Sequence, residues 1–272
     1  MSSRKQLVVN ADDFGFTPDV NEGIVEAHRR GILTATTLMA NGEAFDDAVR
    51  WAKETPSLDV GAHLVLAGGL STLTGKPLPQ TVAKLASALV RGAIRPHEEL
   101  RAQMRRILSA GLQPSHLDTH KHTHLLPPVL EAVARIGEEF DVRWVRQPFD
   151  FGGSSGAAPL KRRLTARAMS AMRGRFRGAL ARHGRRSTDH FTGFQLTGIF
   201  QARDLADLLR QLPEGSTELM CHPGYCREPL RGARTRLKES REQELAALVS
   251  AEVREAVERG GIEIARYADL SG

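Results

Sequence analysis

The sequence predicts an α/β fold in which a mainly parallel sheet, flanked by helices, closes into a barrel. Three observations carry this. Short apolar or Thr-rich runs alternate with amphipathic stretches along the whole chain, the pattern of βα units. About eight such runs are present, enough for a (β/α) barrel rather than a small open sheet. Polar residues gather where those runs end, after Ala11, near His63, along 118–124, at Arg146 and at His222. These places are far apart in the chain, and barrel closure would bring them to one rim.

In chain order, residues 6–11 (Gln-Leu-Val-Val-Asn-Ala) read as a buried strand ending on Asp12 and Asp13. Residues 18–30 carry Val20, Ile24, Val25 and Ala27 at helical spacing, with Gly31 as the stop. Residues 33–40 read as a second strand, 45–53 as a helix and 58–66 as a third strand. The Gly, Pro and Thr content of residues 67–80 marks a long loop of the kind that carries specificity. Helices are expected over 81–91 and 96–110. A histidine-rich strand follows, and Pro127-Pro128 opens a helix to Glu139. Residues 142–146 read as a short strand, 152–159 as a Gly/Ser/Ala loop, and 161–186 as a basic helix. The remaining elements are strands over 195–200 and 216–221 with a helix over 202–212 between them, a charged helix over 237–259, and a last strand over 262–267. All 272 residues are read as one domain.

The net charge of +6 is local. Ten of the 38 basic residues lie between Lys161 and Arg186, with no acidic residue among them, so the rest of the chain is mildly acidic. With few aromatics and no nucleic-acid-binding motif, that distribution argues against nucleic acid as partner. The start shows neither a membrane span nor a signal peptide, and two cysteines, Cys221 and Cys226, make no disulfide framework. The expectation is a cytoplasmic protein.

Between Ser115 and His124 the sequence reads Ser-His-Leu-Asp-Thr-His-Lys-His-Thr-His, which holds four of the ten histidines. If it is extended, His116, Asp118, His120, His122 and His124 share one face, too polar for an ordinary core. Same-face residues on a strand stand roughly 7 Å apart, so one ion could take only one or two of them. Solvated histidines on an edge strand would be the plain alternative. Asp12-Asp13 alone could be a turn start and His63 alone a core histidine. Together, one carboxylate and two imidazoles from three strands make a facial set that leaves positions open for water and substrate.

Asn10-Ala11-Asp12-Asp13-Phe14-Gly15, Gly61-Ala62-His63-Leu64, the 116–124 run and Cys221-His222-Pro223-Gly224 resemble, in order, the motifs of the YdjC-like carbohydrate deacetylases. That family includes chitooligosaccharide deacetylases and a branch associated with hopanoid lipid biosynthesis. The resemblance implies a distorted (β/α) barrel, a divalent metal, usually magnesium, and hydrolysis of an N-acetyl group on a sugar or glycolipid. Carried over, Asp13, His63 and His120 would hold the metal, Asp12 would be the general base and His222 the proton donor. Thr119 and Lys121 depart from what relatives often carry.

The residue types suit amide hydrolysis. A metal polarises a carbonyl and acidifies water, an adjacent carboxylate takes the proton, and a histidine supplies one to the departing amine. Arg146 is a candidate to orient a carboxylate through paired hydrogen bonds, or a surface arginine. His122 and His124 would line the sugar pocket or buttress a ligand. Oxygen ligation favours magnesium or manganese and the two imidazoles favour zinc. A phosphoester hydrolase and a metal-dependent sugar-binding protein without turnover are the competing readings. Along the basic segment 161–186 and the residue before it, Leu160, Leu164, Ala168, Met172, Phe176 and Leu180 form one apolar stripe. Either that stripe packs on the core with its charges solvated, or the segment makes a peripheral contact with an anionic membrane. An oligomer is compatible with all of this.

Overall fold

The computed structural model describes residues 4–151 and 159–270. Eight strands make one parallel sheet: β1 (Lys5–Phe14), β2 (Ala35–Leu38), β3 (Asp59–Leu64), β4 (His116–Thr119), β5 (Trp144–Val145), β6 (His190–Thr192), β7 (Gly215–Cys221) and β8 (Ile262–Ile264). Their order is β5-β4-β3-β2-β1-β7-β6, and β8 pairs with the first residues of β1. The two ends of the sheet touch through single bridges, Trp144 with Arg186 and Asp150 with Phe191. The result is a distorted barrel closed by a thin seam.

The apolar runs form strands because helices cover them. Helix α1 (Pro18–Arg30) starts on Pro18 and buries Val20, Ile24, Val25 and Ala27, the expected stripe. α2 (Phe45–Glu54), α3 (Val82–Val90), α4 (Pro96–Ser109) and α5 (Pro127–Glu139) follow the predicted order. The strongly basic stretch is two helices, α6 (Leu160–Ser170) and α7 (Arg173–Arg182), not one. α8 (Ala202–Arg210) and a short, unanticipated α9 (Glu228–Gly232) precede α10 (Ser240–Leu248) and α11 (Ala251–Arg259). Sequence periodicity had joined the last two; Ser250 separates them by accepting the Val253 N–H at 3.2 Å, as an N-cap.

Two further expectations are corrected. Residues 195–200 are turns, and the strand at this point in the barrel is β6. Leu196 and Phe200 are buried and look strand-like, but Gly193 (φ 113°) and Gly198 (φ 71°) fold the backbone back. The histidine run is a strand only to Thr119; His120–Leu125 is a 3-10 turn with Lys121 (φ 57°) and His122 (φ 50°) left-handed. Of the loop read over 152–159, residues 152–158 lie outside the described part.

α1 also positions the far side of the rim. A Cβ on Gly23 would stand 2.5 Å from the Gly224 Cα, so this helix lies directly on the loop after β7 that carries His222. Gly23→Ala should therefore destabilise the protein by roughly 1–3 kcal/mol through overpacking, although Ala is the better helix former. Urea unfolding reads this, and an unchanged or raised midpoint would show that the contact relaxes freely.

Candidate active site

The site lies where the carboxyl ends of β1, β3, β4, β5 and β7 converge. Its first component is an irregularity in β1. Ala11 pairs with Thr36 and Phe14 with Leu38, so three steps on β1 oppose two on β2. The extra residue is taken up at Asp13, a left-handed non-glycine (φ 70°). In a regular strand Asp12 and Asp13 would face opposite sides of the sheet. The bulge turns both carboxylates to the same rim.

Asp12 meets Arg146, which follows β5 and is fully buried. The guanidinium grips Asp12 with two hydrogen bonds, 2.8 Å to Oδ2 and 2.7 Å to Oδ1. It also reaches Asp118 Oδ2 at 2.6 Å and Glu218 Oε1 at 2.6 Å. Burial would raise the Asp12 pKa, but the Arg146 charge beside it more than reverses this and holds the carboxyl well below its usual range. Arg146 is thus neither a surface residue nor part of the cleft wall.

Asp13 stands among His63, His120 and Arg241. Its Oδ1 lies 3.4 Å from His63 Nε2 and 3.2 Å from His120 Nδ1, and those two nitrogens are 3.2 Å apart. Oδ1 is buried with no hydrogen-bond partner. Oδ2 accepts from Arg241 at 2.6 Å. On its other side, His63 Nδ1 is 2.7 Å from Asp118 Oδ1, and Thr37 Oγ1 donates to the other oxygen of that carboxylate at 3.1 Å. Donation from Nδ1 to a carboxylate leaves Nε2 as the free donor atom, the usual support of a metal-binding histidine. Burial alone would lower the His63 pKa; the charge of Asp118, with Asp13 and Asp12, outweighs it and pushes it up to about 10. These carboxylates thus favour a positive charge at Nε2, which a proton carries without an ion and which a metal ion would supply in its place. Donors about 2.0–2.1 Å from one ion stand roughly 3.0–3.4 Å apart, which is the spacing of Asp13 Oδ1, His63 Nε2 and His120 Nδ1. A second trio, Asp12, His63 and Asp118, also converges. Arg146 already supplies the cation there.

His222 follows β7 and lies 3.8 Å from Asp12 Oδ2 through Nε2. Burial pushes its pKa down to about 4, against the pull of Asp12 and Asp13. Its backbone N–H donates to Glu244 Oε2 at 2.6 Å, and Gly198 N–H donates to Glu244 Oε1 at 2.7 Å. Burial pushes the Glu244 carboxyl up to about 7. His122 lines the cleft beside Phe194, its ring centroid 5.7 Å away. His124 does not line it. That ring is buried, bonded through Nδ1 to Thr119 Oγ1 and through Nε2 to the Arg146 carbonyl at 3.0 Å, and it packs on Phe176. The substrate-binding expectation for His124 is corrected for that reason: the turn after Thr119 breaks the alternation that would have aimed it outward. His116 is likewise a core residue, bonded to Asn10 at 2.9 Å and stacked on Tyr267.

Sequence reasoning missed Arg241, Glu244 and Glu218. All three are buried. Arg241 and Glu244 sit three apart, with Leu245 and Leu248 on the same face of α10, so charged residues on a core-facing stripe were the signal. Glu218, between buried Thr217 and Leu219 in a strand, was another.

Asp12, Asp13, His120, Lys121, His122 and His222 all open into one cleft of about 1550 Å³. Replacing Arg146 with Met would leave three buried carboxylates without their cation. The expected loss is roughly 3–5 kcal/mol at neutral pH. Arg146 depresses the Asp12 pKa, so its contribution is present above the ordinary carboxylate pKa and lost below it. The deficit of Arg146→Met should accordingly narrow as pH falls below about 4. Chemical denaturation at two pH values checks this; a deficit that is small at pH 7, or grows in acid, contradicts the assignment.

A family profile described as "YdjC-like protein" matches residues 6–259. A protein named carbohydrate deacetylase from Brevibacillus brevis is 36% identical over 97% of this chain and 99% of its own length. One of the same name from Clostridium beijerinckii is 30% identical, over 97% of this chain and 100% of its own. Among solved structures, a protein from Enterococcus faecalis V583, provisionally assigned to cellobiose-phosphate cleavage, superposes with a TM-score of 0.74. It is 24% identical, and the match covers 99% of this chain and 100% of that one, so this likeness bears on the fold.

Proposed function

The chain belongs to the YdjC-like family, and from that membership and the geometry of the cleft we propose that it is a metal-dependent hydrolase removing an N-acetyl group from an amino sugar or glycan. The observation that carries this reading is the convergence of Asp13 Oδ1, His63 Nε2 and His120 Nδ1, 3.2–3.4 Å apart, on a cleft that Asp12 and His222 also line. The orphaned Asp13 Oδ1 and the Asp118-anchored His63 suit a divalent ion better than a hydrogen-bond network. The relatives' names, carbohydrate deacetylase, support an acetylated carbohydrate as substrate.

On this reading Asp13, His63 and His120 would hold the ion, magnesium by expectation from the motifs, with manganese or zinc compatible with the same donors. When bound, it would acidify water and polarise the acetyl carbonyl. Arg241 fixes the Asp13 carboxylate from behind, so that Oδ1 is presented to the site. Asp12 accepts the proton of the attacking water; Arg146 keeps it anionic and fixes its plane. His222 enters the reaction neutral because it is buried. Asp12, once it has taken the water proton, faces His222 Nε2 across 3.8 Å, a gap that one water would bridge, so that proton can pass through His222 to the departing amine. Glu244 holds the His222 backbone in place for that transfer. His122 and Phe194 offer a partly apolar wall to a sugar ring.

Acetate release from N-acetylglucosamine oligomers, with and without chelator, is the direct test. Chelation should abolish it and a divalent ion restore it. His63→Ala and His120→Ala should lose ion binding and activity together, as read from metal content after dialysis; a fully loaded, active variant refutes the ligand set.

Asp12→Asn should instead keep the ion and lose about 10²–10⁴-fold in turnover, the usual contribution of a positioned base. His222→Ala should also retain the ion at reduced turnover. If Asp12→Asn with ion bound loses under about tenfold, another group is the base.

A further inference from the structure

The stripe that sequence periodicity assigns to the basic segment divides in two. Phe176 and Leu180, on α7, are buried in the core, but Leu160 is 68% exposed, Leu164 59% and Met172 37%. α6 turns Arg162 and Ala166 inward and Leu160, Leu164 and Ala168 outward, among Lys161, Arg163 and Arg167. Among the described residues none of these cations forms an ion pair, and residues 1–3, 152–158 and 271–272 contain no acidic side chain. α6 is also a wall of the catalytic cleft, through Lys161, Arg162 and Thr165.

The same cleft has a second exposed apolar rim. In the 67–80 loop, Leu70 is 54% and Leu73 51% exposed, and Gly68, Gly69, Leu70 and Pro77 line the cleft. That loop is built to hold its shape. Buried Glu99 accepts from the Thr72 N–H at 2.8 Å and the Leu73 N–H at 3.2 Å, and Lys121 Nζ donates to the Ala67 and Gln80 carbonyls. Four of the most exposed large apolar side chains therefore belong to two segments that frame one opening, whereas scattered surface leucines would need no explanation.

We propose that this rim docks on an anionic lipid surface, α6 supplying charge and Leu70, Leu73, Leu160 and Leu164 entering the interface. Leucines interspersed with unpaired cations are the composition of interfacial helices. Lipid headgroups supply the countercharge that the protein lacks here. A nucleic acid fits less well, because the aromatic residue of α6 and α7, Phe176, is buried and cannot stack on bases. A second copy meeting this face would set cations against cations. The docking stands apart from the deacetylase reading.

The test is sedimentation of the purified full-length protein with vesicles of phosphatidylcholine alone and of phosphatidylcholine with phosphatidylglycerol. Binding should require phosphatidylglycerol and be released by high salt. Arg163→Gln with Arg167→Gln should weaken it roughly fivefold per charge removed. Leu160→Ser with Leu164→Ser should weaken it at every salt concentration. All four side chains are exposed and outside the cleft lining, so both variants should fold and release acetate from a soluble oligosaccharide as the parent does. Absence of binding to the anionic vesicles at low salt, or binding unaltered in both double variants, overturns the docking. Vesicle binding without acetate release in the parent protein leaves the docking standing and counts against the deacetylase reading alone.

Discussion

One buried guanidinium ties the barrel to its chemistry. Arg146, after β5, bonds Asp12 on β1, Asp118 on β4 and Glu218 on β7. Taking four charges out of water costs several kcal/mol per ion, and only the good geometry of the fork, with the hydrogen bonds of Thr37 and Asn10 around it, offsets that. The same carboxylates then reach outward. Asp118 passes from Arg146 to His63 and fixes which imidazole nitrogen faces the cleft, while Asp12 presents its second oxygen toward His222. A structural ion cluster and the candidate active site here share their members.

Two backbone departures make that sharing possible. The β1 bulge, with Asp13 left-handed, brings neighbouring carboxylates to one side. The left-handed pair Lys121 and His122 ends β4 abruptly after Thr119, which lets His120 turn toward Asp13 and His63 while His124 is buried. Left-handed geometry in non-glycine residues costs on the order of 1–3 kcal/mol each, and such strain collects at functional sites when surrounding contacts over-determine it. Here those contacts are Arg241 on Asp13, the Phe194 wall beside His122 and the loop carbonyls on Lys121. Among the described residues no helix is long and apolar enough to cross a membrane.

The sequence by itself determined the architecture and the chemistry-bearing residue types. Alternating strands and helices, Pro127 and Pro18 at helix starts, and polar residues at strand ends follow from local periodicity and turn chemistry, which neighbours in the chain decide. It also brought Asp12, Asp13, His63, His120 and His222 forward as a set, because four motifs in order leave few alternatives. Tertiary structure decided what depends on contacts distant in the chain. That Arg146 is the core of an ion cluster follows from Glu218, 72 residues away, and Asp12, 134 away. That Arg241 and Glu244 serve the site follows from α10 packing across the barrel mouth, where a core-facing charged residue finds its partner 228 positions earlier. Periodicity could not foresee the bulge or the broken histidine strand either. A single left-handed residue reverses which face every following side chain takes, and only packing against the rest of the barrel makes that conformation the stable one.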